Sequence, residues 1–146
     1  MDLKNMTSDD KYKWARNPST PLDILRKLAK DKNWGVRAGV AGNSSTPVDV
    51  LRALAKDEHW GVRCNVAENP STPEDTLRDL AKDGSPGVRW RMAKNPNSSS
   101  KLLVMLFEYE KSLSEPDEYV IQALYRHKNL PAFAKRVIET LFGEML

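Results

Sequence analysis

Apolar positions along this chain recur in fixed groups. Leu25, Leu28 and Ala29 fall at i, i+3 and i+4, and Val36, Val40 and Ala41 follow at i, i+4 and i+5. The same groups return as Leu51, Leu54, Ala55 with Val62, Val66, Ala67, and as Leu77, Leu80, Ala81 with Val88, Met92, Ala93. Such spacing places each group on one face of a helix, with Arg26, Lys27 and Lys30 on the wet side of the first. The pattern predicts a helix of about three turns, a few turn residues after Asp31, and then a stretch so short that a weak or 3₁₀-like helix is expected. Strand-like alternation is absent throughout.

The period is 26 residues, marked by Asn17, Asn43, Asn69 and Asn95. Three blocks starting at Asn17, Asn43 and Asn69 align without a gap, and 15 of their 26 columns are identical. Thr20 reads as an N-cap, Pro21 suits the first helical position, and Asp23 can turn back to the free amides. This start signal recurs at Thr46-Pro47-Val48-Asp49 and at Thr72-Pro73-Glu74-Asp75. Asn17-Pro18 closes the unit, because a residue before proline is pushed out of the helical region. Two short helices cannot bury their apolar stripes alone, so the copies must stack on a shared core. The expected fold is all-α, a right-handed α-solenoid.

The pattern NPxTPxxxLxxLAxDxxxxVRxxVAxN over about residues 15–97 resembles the leucine-rich repeat variant family. That resemblance implies an α-helix paired with a shorter 3₁₀-like helix in each repeat, wound into a right-handed superhelix. The spacing of Asp31 to Arg37 and the Val-Arg pair are also similar to HEAT repeats. The resemblance implies a general binding role and no common reaction.

Both ends depart from the strict pattern. Trp14 falls in the column of Val40 and Ala15 in that of Ala41, so residues 1–16 read as a truncated repeat with Trp14 as a core plug. Past residues 17–94, Leu103 and Leu106 keep the leucine columns, but Ser98-Ser99 replace Thr-Pro and Phe107 replaces alanine. A helix is predicted around Lys101–Lys111. Residues 120–131 echo a half-repeat in which His127 takes the asparagine column, with six extra residues placed in a loop near Glu110–Asp117. Phe133, Val137, Ile138, Leu141 and Phe142 form the stripe of a last helix. One domain with a divergent C-terminal helical cap is expected.

Composition narrows the function. The 146 residues are 40% apolar and 29% charged with a net charge of +3, and the excess lies mainly in the first block rather than in one basic patch. The N-terminus carries no secretion-like apolar core, and the one cysteine, Cys64, allows no internal disulfide or cysteine-rich metal site. A cytoplasmic protein with no cofactor and no membrane partner is expected. His59 and His127 stand in unrelated contexts, and no catalytic motif is built around them. Ser98-Ser99-Ser100-Lys101 formally matches S-x-x-K, but serines before an apolar helix read as caps. No catalytic residue is expected.

Two sets of residues remain. Arg37, Arg63 and Arg89 share a column and can hold phosphates or a partner's carboxylates, although Asp31, Asp57 and Asp83 recur six residues earlier and favour an internal ladder. The variable columns hold Trp34, His59 and Trp60, then Ala38-Gly39, Cys64-Asn65 and Trp90-Arg91. Since the frame is fixed and these vary, they are expected at the surface, with Cys64 partly exposed. Trp34, His59, Trp60, Trp90 and Arg91 are therefore the candidate partner-binding residues, either as an interface for another protein or as packing over the seam between repeats. Arg89, Arg91 and Lys94 around Trp90 offer the alternative, a nucleic acid held by charge and stacking.

Overall fold

The computed structural model describes residues 2–146, and every regular element among them is helical. The chain divides into two compact units, Met1–Thr76 and Leu77–Leu146. The first contains α1 (Ser8–Arg16), α2 (Leu22–Leu28), α3 (Trp34–Gly42), α4 (Val48–Leu54) and α5 (Trp60–Glu68). The boundary falls within α6 (Glu74–Leu80), and α7 (Pro86–Lys94), α8 (Ser100–Ser112), α9 (Glu118–Arg126) and α10 (Ala132–Phe142) follow. The architecture is an all-α helical repeat, a solenoid class built from packed neighbouring helices.

Starts of α1, α3, α5 and α7 at residues 8, 34, 60 and 86 keep the 26-residue period. In the first unit α3 packs against both α1 and α5, while α2 and α4 lie against α3 and α5 in turn. Leu25, Leu28, Val36, Val40, Leu51, Leu54, Val62 and Val66 are buried between them. In the second unit α9 is the hub, touching α7, α8 and α10.

The relative lengths of the two helices in each repeat are the reverse of the expectation. The second helix is a regular α-helix of nine residues, and the first has only seven. Two side-chain acceptors start the second helix early. Asp31 Oδ1 accepts the Asn33 amide at 2.9 Å, and Asn33 Oδ1 accepts the Gly35 amide at 2.8 Å. His59 Nδ1 plays the part of Asn33 in the next repeat. Small residues then let these helices approach: a Cβ on Gly39 would lie 2.9 Å from the Ala15 methyl.

Nor are the threonines N-caps. Thr20, Thr46 and Thr72 each donate to a backbone carbonyl six residues earlier, Trp14, Val40 and Val66, at 2.6 to 2.7 Å. Those carbonyls belong to the last turn of the preceding helix, where each also accepts the amide of the C-cap asparagine, so the threonine staples loop to helix end. Ser98 repeats the contact on the Met92 carbonyl at 2.7 Å, which absorbs the S-x-x-K serine into the frame, while Ser99 caps α8 through the Leu102 amide.

Other expectations also shift. Trp14 is half-buried rather than a plug, because the deep positions of α1 go to Ala15. The C-terminal insertion lengthens α8 to 13 residues, and the expected loop and helix start follow at residues 113–117, where Asp117 caps α9. On α10 only Ala134 and Ile138 are deeply buried, and Phe133 and Leu141 stand exposed on the outer side.

Candidate functional site

Asparagines of the 26-residue column tie one repeat to the next. Asn43 Nδ2 donates to the carbonyls of Ala15 and Asn17 at 2.8 and 2.9 Å, and Asn69 Nδ2 to those of Ala41 and Asn43 at 2.7 and 2.9 Å. Each amide oxygen accepts the backbone N–H two residues on, from Ser45 or Ser71, at 2.9 Å. Both asparagines are buried. His127 occupies the column in the second unit. Its Nε2 reaches the Asn95 carbonyl at 2.7 Å and its Nδ1 accepts the Asn129 amide at 3.0 Å, so this histidine is spent on the frame.

The arginine column is likewise engaged. Arg37 binds the carboxylate of Asp57 in the following repeat through Nε and Nη2 at 2.7 and 3.1 Å, and its Nη1 donates to the Asp31 carbonyl at 2.8 Å. Lys11, one period earlier, grips Asp31 at 2.8 Å in the same way. Arg63 donates to the carbonyls of Asp57 and Glu58. In the second unit Arg89 donates Nε to the buried carboxylate of Glu110 and Nη1 to the Asp83 carbonyl at 2.8 Å. In the first unit Asp31 and Asp57 each offer the arginine of their own repeat a carbonyl, and their carboxylates go to the cation of the repeat before, Lys11 and Arg37. Sequence reading missed Glu110, which lies inside the inserted stretch where the period gives no guide.

Burial would raise the pKa of Asp57, but the Arg37 hydrogen bond and the His59 amide outweigh it and hold the carboxyl below its ordinary range. Asp31 behaves alike, with burial opposed by Lys11 and the Asn33 amide. A carboxylate whose folded pKa lies below its unfolded value of about 3.9 contributes stability that is complete above that value and lost as pH falls through the folded one. The helical signal should therefore hold from neutral pH down to about 4 and fall below it. Circular dichroism of wild type against Asp57→Asn checks this: the variant should be weaker at neutral pH with a shallower acid transition.

Candidate partner-binding residues separate into two places. In the first unit Trp34 opens α3, Trp60 opens α5 and His59 caps α5. The His59 ring lies face to face on Trp34 at 3.9 Å with an interplanar angle of 4°, and sits 6.0 Å from Trp60 at 19°. Because His59 Nδ1 accepts the Gly61 amide at 3.0 Å, its ring is held at the cap. A Cβ on Gly61 would come within 3.0 Å of Trp34 Cζ3, so the glycine of this column seats the preceding repeat's indole. The outer faces stay open, with Trp34 48% and Trp60 54% exposed.

Trp90, in the second unit, is half-buried, with exposed Arg91 and Lys94 5.4 and 5.6 Å from its ring. In the first unit the second pair of variable columns is not surface as expected. Ala38, Gly39 and Cys64 are buried, and Asn65 donates to the Ala38 carbonyl at 2.8 Å. These columns vary because they meet the neighbouring second helix, where close approach suits small residues. Among the described residues no cluster of histidine, cysteine and carboxylate side chains forms a metal site, and no helix is long and apolar enough to cross a membrane.

Two adjacent stretches, residues 34–59 and 60–85, match the sequence model of the leucine rich repeat variant family. No curated protein and no solved structure matches the chain.

Proposed function

Starting from a chain whose residues 34–85 are leucine-rich repeat variant repeats, a helical class of binding scaffold, we propose that it is a non-catalytic module that takes a partner protein on the Trp34–His59–Trp60 strip. The observation that carries the reading is the exposed, ring-stacked trio at the starts of α3 and α5. Two indoles beside a helix-capping histidine offer large apolar area with little rotamer entropy left to lose, which is what interface anchors provide. Simple packing over a seam would bury these rings, whereas both stay about half exposed. The reading places the arginine row in the frame, since Arg37 is already bound to Asp57. It also takes Lys11, Arg26, Arg37 and Arg52 out of any basic face of the first unit, because each is matched to a carboxylate.

Affinity capture with mass spectrometry tests it, comparing wild type with a Trp34→Ala, Trp60→Ala variant. Retention of a protein set by wild type and its loss by the variant, with the fold intact by circular dichroism, is the expected result. Identical captured sets would overturn the proposal.

A further inference from the structure

The second unit holds a cavity of about 550 Å³ between α7 and α9, with Trp90 and Lys94 on one side and Tyr119, Gln122 and Arg126 on the other, and Lys128 at its rim. This volume lies in the range of small-molecule sites. No carboxylate lines it. Lys94, Arg126 and Lys128 are exposed, and among the described residues none of them has a carboxylate partner. Lys94 and Arg126 are the last residues of α7 and α9, where the helix dipole favours a cation. The dipole accounts for each charge separately, and leaves unexplained why like charges share one cavity with two aromatic rings.

Trp90 and Tyr119 also line an adjoining apolar cavity of about 330 Å³ with Pro86 and Gly87, so both aromatic residues border open space on two sides of the site, with Arg91 and Lys94 already lying over the Trp90 ring. Tyr119 is 70% exposed. The one carboxylate beside that second cavity, Asp117, accepts the Val120 amide as the cap of α9. Gln122 spends its NH₂ on Glu118 Oε1 at 2.9 Å and the Met145 carbonyl at 2.7 Å, which leaves its carbonyl oxygen as an acceptor.

We propose that this cavity is a nucleotide site: a base stacks on the Trp90 and Tyr119 rings, its exocyclic amine donates to Gln122, and its phosphate lies among Lys94, Arg126 and Lys128. Every base has a face to stack, and a phosphate offsets part of the charge of the three cations. The same chemistry is met by a free nucleotide or by one residue of a single strand. It is independent of the Trp34–His59–Trp60 strip.

Calorimetric titration of the whole protein with AMP, adenosine, inorganic phosphate and a short oligodeoxyadenylate tests the site. AMP should bind at low salt, with adenosine and phosphate each weaker by about tenfold or more, because each supplies only one of the two contacts. Tyr119→Ala removes an exposed ring and should weaken AMP by about tenfold, while Arg126→Glu with Lys128→Glu, both on the surface, should abolish binding. A strand is the source if the oligonucleotide binds tighter than AMP with a steeper salt slope, and a free nucleotide if it does not. The Trp34→Ala, Trp60→Ala variant should bind AMP as wild type does. Absence of AMP and oligonucleotide binding at low salt overturns the proposal, as does phosphate binding as tightly as AMP, or AMP binding untouched by both sets of substitutions.

Discussion

Arg89→Ala should lower the stability of the second unit by about 3–5 kcal/mol, the cost of leaving one member of a buried ion pair alone. Arg89 and Glu110 side chains are 5% and 0% exposed. Glu110 Oε2 also accepts the Asp117 amide at 3.0 Å, so its charge is fixed at the start of α9 and cannot swing out to water. Arg89 in turn holds the Asp83 carbonyl and lies 5.5 Å from the Tyr109 ring. Removing the guanidinium strands a carboxylate that is itself fully buried, with only the Asp117 amide left on it among the contacts of the described residues. Against a typical domain stability of about 5–15 kcal/mol, that is enough to shift a urea midpoint strongly. Arg89→Met with Glu110→Leu should recover most of the loss, because apolar side chains of similar volume replace a buried pair at little net cost. A single variant within about 1 kcal/mol of wild type would show that water reaches the pair.

Asn69→Ala is expected to cost about 2–5 kcal/mol, since it orphans one buried carbonyl and one amide and takes one of two donors from a second carbonyl, which keeps the Thr46 amide at 3.0 Å. The carbonyls are those of Ala41 and Asn43 and the amide is that of Ser71. The second unit suggests the informative comparison. His127 stands in the equivalent column and supplies one donor and one acceptor where asparagine supplies two donors and one acceptor. Asn69→His should therefore be milder than Asn69→Ala, and denaturant unfolding of the three proteins would show the order. Equal losses for both variants would mean that side-chain volume, rather than the hydrogen bonds, sets the cost at this position.

Much of this frame is legible in the chain because the frame repeats. Leu25, Leu28, Val36 and Val40 declare their faces by spacing alone, and three copies remove the ambiguity of one short helix. The starts of α3, α5 and α7, one period apart, follow from the same columns. The exposed rings of Trp34 and Trp60 were also legible as candidates, because they sit in turn columns that change while their neighbours do not.

What stayed hidden were partners and depth. Arg37 stands six residues after Asp31 and 20 before Asp57, and both spacings recur. A strict repeat makes contacts within a unit and contacts between units equally periodic, so no inspection of columns separates them. Thr46 illustrates the same limit: before Pro47 it has the sequence of a cap, but the loop turns its hydroxyl to the Val40 carbonyl. Cys64 and Gly39 vary, yet they are buried, since variation follows the size of the facing side chain as well as exposure to water. Glu110 and the cavity lined by Trp90 and Tyr119 lie where the period breaks, and only folding brings residues of unrelated columns there together. The chain by itself determined the helices, their order and their buried faces, because those depend on local spacing. The tertiary structure alone decided which charges pair and which rings stay open, because these depend on distances across helices that a periodic sequence leaves degenerate.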